Sequence, residues 1–268
     1  MRRGSLFWGI VIVLAGVLLL LNQFGLLTVS AWAFIWPVAL ILLGVWFLVG
    51  PLVARREFKD EALSIPLSGA SQADIHIRHG AGRLEISALP QSGDLLSGTF
   101  TGGVYEQHSL SSLHGNSMRV RLENRYNGFY GWPPMVGPQG YHWTMALAKN
   151  IPLKLDLKTG ASETELNLSE LMVTELELDT GASSNQITLP ANAGYTHLRL
   201  KAGAASVMIR VPDGVAARIH YRGGLSGINI DAGRFPLQNN DYQTPGYDTA
   251  ANRVEMNIRT GVGSVDIH

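Results

Sequence analysis

Along the last two-thirds of the chain, apolar and polar positions alternate in short bursts phased by glycine. The unit apolar-x-apolar-x-x-Gly occurs as Leu155/Leu157 before Gly160, Leu176/Leu178 before Gly181, Leu198/Leu200 before Gly203 and Ile219/Tyr221 before Gly224. Met256/Ile258 before Gly261 and Ile75/Ile77 before Gly80 repeat it. Six residues after these glycines stand more aliphatics: Leu166, Ile187, Ile209, Ile230, Ile267 and Ile86. Period-two alternation is the mark of a strand with one buried face. Spacings of 21, 22 and 21 residues from Gly160 to Gly224 mark a stack of equivalent units.

Each unit reads as one coil of a β-solenoid with two strands in about 21 residues. A strand ends at the glycine, where Gly-Ala-Ser (Gly160 to Ser162, Gly181 to Ser183) bends the chain and a large side chain would crowd the stacked neighbour. A second strand follows, and turn-formers at 190–194 and 212–214 close the coil. Parallel stacking would put Lys158, Asp179 and Lys201 in one polar column and Lys154, Glu175 and His197 in another, with opposite charges adjacent. Exposed pairs contribute about 0.2–1 kcal/mol each, enough to favour a register but not to drive folding. Two stretches break the period: a Pro/Asn/Tyr-rich insert at 232–249 and an aromatic excursion at 125–144. Between Gly80 and that excursion the signal fades. Gly102 keeps the spacing without the pattern, so an irregular region with one strand at 118–122 is expected there.

The first 54 residues follow a different rule. Residues 6–27 and 33–53 are apolar runs, and no Asp, Glu, Lys or Arg occurs from Gly4 through Ala54. Each run reaches the roughly 20 residues that cross a bilayer as a helix. Trp8, Trp32, Trp36 and Trp46 supply interfacial aromatics, and Pro37 falls in the first turn of the second helix. A cleaved signal peptide is the competing reading, since Ala31-Trp32-Ala33 has a small-x-small pattern after an Arg-rich start. The first run exceeds the roughly 7–15 residues of a signal core and a second run follows at once, so the hairpin is preferred. Arg2 and Arg3 precede the first span, Arg55, Arg56 and Lys59 follow the second, and the connecting turn at 22–30 has no basic residue. The positive-inside rule then puts both ends and the β domain in the cytoplasm. The expected organisation is a two-helix transmembrane hairpin (1–54), a basic juxtamembrane linker (55–71) and an all-β domain (72–268).

Charge and composition narrow the function. Arg2, Arg3, Arg55 and Arg56 precede Glu57, which leaves 17 basic against 21 acidic residues in the remainder, a poor surface for nucleic acid. The absence of cysteine excludes disulfides, thiolate catalysis and Cys-type zinc sites.

The run "WGIVIVLAGVLLLLNQFGLL" with "IWPVALILLGVWFLVG" resembles the LiaI/LiaF-type transmembrane region of bacterial envelope proteins. "IPLKLDLKTGASETELNLSELMVTELELDTGASSNQITLP" resembles the cell-wall-active-antibiotics-response, or toastrack, domain that follows it in LiaF-like proteins. The resemblance implies a bacterial plasma-membrane protein with a right-handed β-solenoid-like domain. Some such relatives restrain a membrane histidine kinase in the response to cell-wall damage. It implies no catalytic residues and no cofactor.

The residues themselves offer little chemistry. Gly80-Ala81-Gly82 and Gly261-Val262-Gly263 lack the third glycine and following helix of a dinucleotide loop. His76 points outward by alternation and His79 falls at a bend, a poor metal pair. Ser226 misses the G-x-S-x-G frame and has no assigned base. Glu163, Glu165, Glu175 and Glu177 read as a solvated face. The one candidate contact surface is aromatic: Phe129, Tyr130, Trp132, Tyr141 and Trp143. Its alternatives are a cap over the end of the stack and a rest on the membrane surface. The strand holding Val265 and Ile267 reaches His268 directly, so an unpaired edge is expected there. Two functions fit: a non-catalytic membrane-anchored regulator binding a protein such as a sensor kinase, or a structural module that self-associates through its ends.

Overall fold

A computed structural model of the chain describes residues 36–37, 40–41, 44, 60–90, 93–111, 116–124 and 141–268. The chain divides into two units. In the first, Trp36, Pro37, Leu40, Ile41 and Gly44 are helical, and the Trp36, Leu40 and Ile41 side chains are exposed. All five fall in the second apolar run; the rest of the predicted hairpin lies outside the described residues. Among the described residues no helix is long and apolar enough to cross a membrane.

The second unit is all β. Its strands are β1 (Asp60–Pro66), β2 (Gln72–Ala88), β3 (Asp94–Thr101), β4 (Val104–Ser111), β5 (Ser117–Asn124), β6 (Tyr141–Leu147), β7 (Leu153–Asn167), β8 (Val173–Thr188), β9 (Tyr195–Arg210), β10 (Ala216–Ile230), β11 (Leu237–Gln238), β12 (Asp241–Gln243) and β13 (Arg253–Ile267). Strand β1 occupies part of the expected linker and pairs antiparallel with β3.

The glycine-phased units are β2, β7, β8, β9, β13 and β10, stacked parallel in that order. Where two strands per unit are expected, each unit is one unbroken strand of 15 to 17 residues that turns at its glycine. The ladder passes over that residue alone: Thr159 pairs with Thr180 and Ala161 with Ala182 across Gly160 and Gly181. In β7 the buried residues are Leu153, Leu155, Leu157 and Thr159, then Ser162, Thr164 and Leu166. Two consecutive outward positions, Gly160 and Ala161, switch the inner face from odd to even numbers. Both arms thereby direct their apolar side chains into one core.

That core is made of columns, such as Ile75, Leu155, Leu176, Leu198, Met256 and Ile219, each at most 1% exposed. Burying such a side chain contributes about 1.5–3 kcal/mol, available only where a neighbouring rung covers it. The glycines stack as closely as expected. A Cβ on Gly160 would lie 2.4 Å from the Gly80 carbonyl oxygen, and one on Gly181 2.9 Å from that of Gly160. The same contact joins Gly203 to Gly181, Gly261 to Gly203 and Gly224 to Gly261, at 3.0, 2.6 and 2.8 Å.

Two expectations fail at the ends. The region before residue 125 is regular: β5 pairs with the first arm of β2 and β6 with the second. Together they fill one rung position, with no glycine corner described between them. Strand β4 extends β5, and β3 with β1 extends β6, all antiparallel. Gly102, at φ 93°, belongs to the β3–β4 turn rather than to a corner. At the other end β13 is not an edge strand. It lies between β9 and β10, and beyond β10 only the short β12 and β11 follow, which leaves the second arm of β10 as an open edge.

Candidate interaction surfaces

The structure separates the five aromatic residues. Trp143 is fully buried on β6, its ring 5.2 Å from Phe100 and 5.1 Å from His79. It therefore cannot serve as a contact residue, because strand alternation turns it inward with Met145 and Leu147. Tyr141 is half-buried against the core beside His79, 6.3 Å ring to ring. Phe129, Tyr130 and Trp132 lie outside the described residues.

His79 stands at the bend beside Gly80 as expected, but it is interior, at 1% exposure, rather than on a solvated surface. Neither ring nitrogen makes a hydrogen bond of good geometry, and burial pulls its pKa down to about 4. His76 faces outward as alternation requires, with Nδ1 3.1 Å from Asp156 and Nε2 3.2 Å from Asp74. The two imidazoles thus sit on opposite faces of β2. The Ser226 hydroxyl lies 2.7 Å from the Tyr221 hydroxyl and 2.6 Å from that of Thr260, inside the bend of β10. These hydroxyls satisfy one another, with no base in the set.

Charged columns form on the outer face. Lys154 pairs with Glu175 at 3.2 Å, and Arg199 pairs with Glu177. Glu163 binds Arg83 at 3.0 Å. The column two residues before the corner differs. It runs Arg78, Lys158, Asp179, Lys201, Arg259 and Arg222 in register, five cations to one acid. Sequence order had placed Lys201 beside Asp179 and stopped there; insertion of β13 adds Arg259 and Arg222 beyond it. All three terminal cations are exposed. Among the described residues no carboxylate forms an ion pair with any of them.

Just past the corner runs a second column: Ala81, Ala161, Ala182, Ala204, Val262 and Leu225. Its last two members stand side by side in register, 53% and 84% exposed. The sequence carried this signal, since Gly224-Leu225 replaces the Gly-Ala of other units, but the segment reads first as a failed nucleophile motif.

The outer side of β10 completes the picture. Strand β12 pairs with it only at Arg218 and Ile219. From Gly223 to Ile230 no described strand adds to it. Ile228 and Ile230 are half-covered, whereas Val265 and Ile267, their partners on β13, are each 1% exposed.

The profile described as the N-terminal domain of toast_rack, DUF2154, matches residues 54–210, from the end of the apolar region through β9. The chain belongs to the toast_rack family. A LiaF transmembrane domain profile matches residues 7–64, so the toast-rack domain follows a membrane region in the LiaF order and is membrane-associated. Among curated proteins none matches significantly. A solved Clostridium sporogenes structure, provisionally described as a cell adhesion protein, is similar at 20% identity and a TM-score of 0.70. The match covers 78% of this chain and 98% of that one, which establishes the toast-rack fold alone.

Proposed function

We propose that this protein is a non-catalytic, membrane-anchored regulator of the bacterial cell envelope whose toast-rack domain binds a protein partner in the cytoplasm. The observation that carries the reading is the open edge of β10. Unpaired backbone groups beside half-covered core positions accept an added strand, with main-chain hydrogen bonds supplying affinity and Ile228 and Ile230 supplying apolar contact. The LiaF-type order of domains favours a membrane sensor kinase as that partner. The aromatic segment with Phe129, Tyr130 and Trp132 is a second contact in this reading.

The chain has no native cysteine, so single thiols report cleanly. A Cβ at Gly227 meets nothing within 4 Å, which makes Gly227→Cys a mild change on the open edge. A photoactivatable crosslinker on Gly227→Cys in native membranes is expected to trap a partner that the same reagent on Asn192→Cys does not. Identical adducts from both positions, or none from residue 227, would remove the edge from the proposal. An adduct of twice the chain mass would identify self-association, the reading that the same edge also favours.

A further inference from the structure

We propose that the corner ridge at the β9, β13 and β10 end docks on an anionic phospholipid surface, with Leu225 and Val262 entering the interface and Lys201, Arg259 and Arg222 meeting the headgroups. The inference rests on the membrane anchoring adopted above and goes beyond it by naming a lipid-binding face. Three features meet on this ridge. First, two aliphatic side chains project side by side with most of their surface in water, while their equivalents in the other four glycine-phased rungs are alanine. Second, three successive cations flank them at strand spacing, about 4.8 Å per rung, and none has an acidic partner among the described residues. Third, the outward residues between them are small: Gly203, Ala204, Gly261, Gly224, and Ser206 and Ser264 on the far side.

An isolated basic column would suit any polyanion, and an isolated apolar pair any protein. Their combination on one exposed face suits a bilayer, where apolar groups reach the acyl boundary and cations lie at phosphate level. Asp179, in register beside Lys201, is the one acid in the column; two further acids on the flanking strands are already engaged. Asp266 accepts hydrogen bonds from Asn229 and His268, and Glu255 accepts one from Tyr195. Anionic leaflets attract each nearby Lys or Arg by about fivefold in partition, so the three cations together are expected to contribute about a hundredfold.

The test uses full-length protein reconstituted into vesicles of phosphatidylcholine alone or with phosphatidylglycerol, carrying an environment-sensitive fluorophore at Ala204→Cys. This exposed position keeps all five ridge residues intact. Resistance of the protein to carbonate extraction establishes the anchor separately, so failure of anchoring and failure of the ridge are distinguishable. The expected result is a blue-shifted, lipid-quenchable emission in the phosphatidylglycerol vesicles. K201Q/R259Q/R222Q is expected to return it to the aqueous value, and Leu225→Ser to weaken quenching. An aqueous emission from anchored protein in both lipids overturns the proposal. So does a blue shift seen only in native membranes, which would identify an acidic protein as the ligand.

Discussion

Among the corner glycines the steric constraint follows stack order. Gly160→Ala would press a Cβ against the Gly80 carbonyl at 2.4 Å, whereas a Cβ on Gly80 itself meets nothing within 4 Å. Gly160→Ala is expected to destabilise by about 1–3 kcal/mol and Gly80→Ala to be close to neutral. Thermal melts of the two full-length variants in micelles decide this, and equal midpoints would contradict the ladder. His79 gives a second residue-scale prediction. Its folded pKa of about 4 lies below the ordinary imidazole value of 6.5, so between those values the unfolded chain binds more protons than the folded one. His79 therefore lowers stability as pH falls through that window, by about 1.4 kcal/mol per pH unit, and adds no pH dependence above it. Wild type compared with His79→Leu, both melted at pH 7 and pH 5, isolates this component from the carboxylate-paired histidines. A pH-independent difference between the two would show that His79 is accessible to protons when folded. The alternation of Tyr141, Trp143, Met145 and Leu147 announced an inward tryptophan just as it announced inward leucines. Aromatic clustering in the sequence concealed that simpler pattern.

At the scale of elements, identical rungs carry identical patterns, which is why the rungs were legible and their order was not. Leu198/Leu200, Ile219/Tyr221 and Met256/Ile258 satisfy the same hydrophobic rule, so nothing in the alternation distinguishes β9–β10 from β9–β13 adjacency. The split rung of β5 and β6 was hidden for a related reason: residues 125–140 separate its two arms in the sequence, and the phase marker is missing there. Because β10 makes its parallel ladder with β13 alone, deleting residues 253–267 is expected to expose the amides of β10 and β12 to exchange. Protection on β2, β7 and β8 should persist. Retained protection on β10 would mean that it can pair directly with β9.

For the whole molecule, charge is arranged along the stack rather than balanced across it. Outward positions on β7 and β8 carry Asp156, Glu163, Glu165, Glu177 and Asp179, while β9, β13 and β10 present Arg199, Lys201, Arg259 and Arg222. A net charge near zero concealed this polarity, which only stack order reveals. The family profiles fix membrane association, and the side occupied by the β domain remains a prediction of the positive-inside rule. With a thiol at Asn192→Cys, intact cells should resist a membrane-impermeant maleimide and lysed cells should react. Labelling of intact cells would put the toast-rack domain outside.

The interposed strand has a consequence in time. β9 and β10 are consecutive in the sequence, yet in the finished sheet they stand two strand spacings apart, about 10 Å, with β13 between them. During synthesis β10 leaves the ribosome without its permanent neighbour, and the β9 edge stays open until residues 253–267 follow. Assembly order and synthesis order diverge at that point. For that interval a foreign strand can compete for the place that β13 later fills.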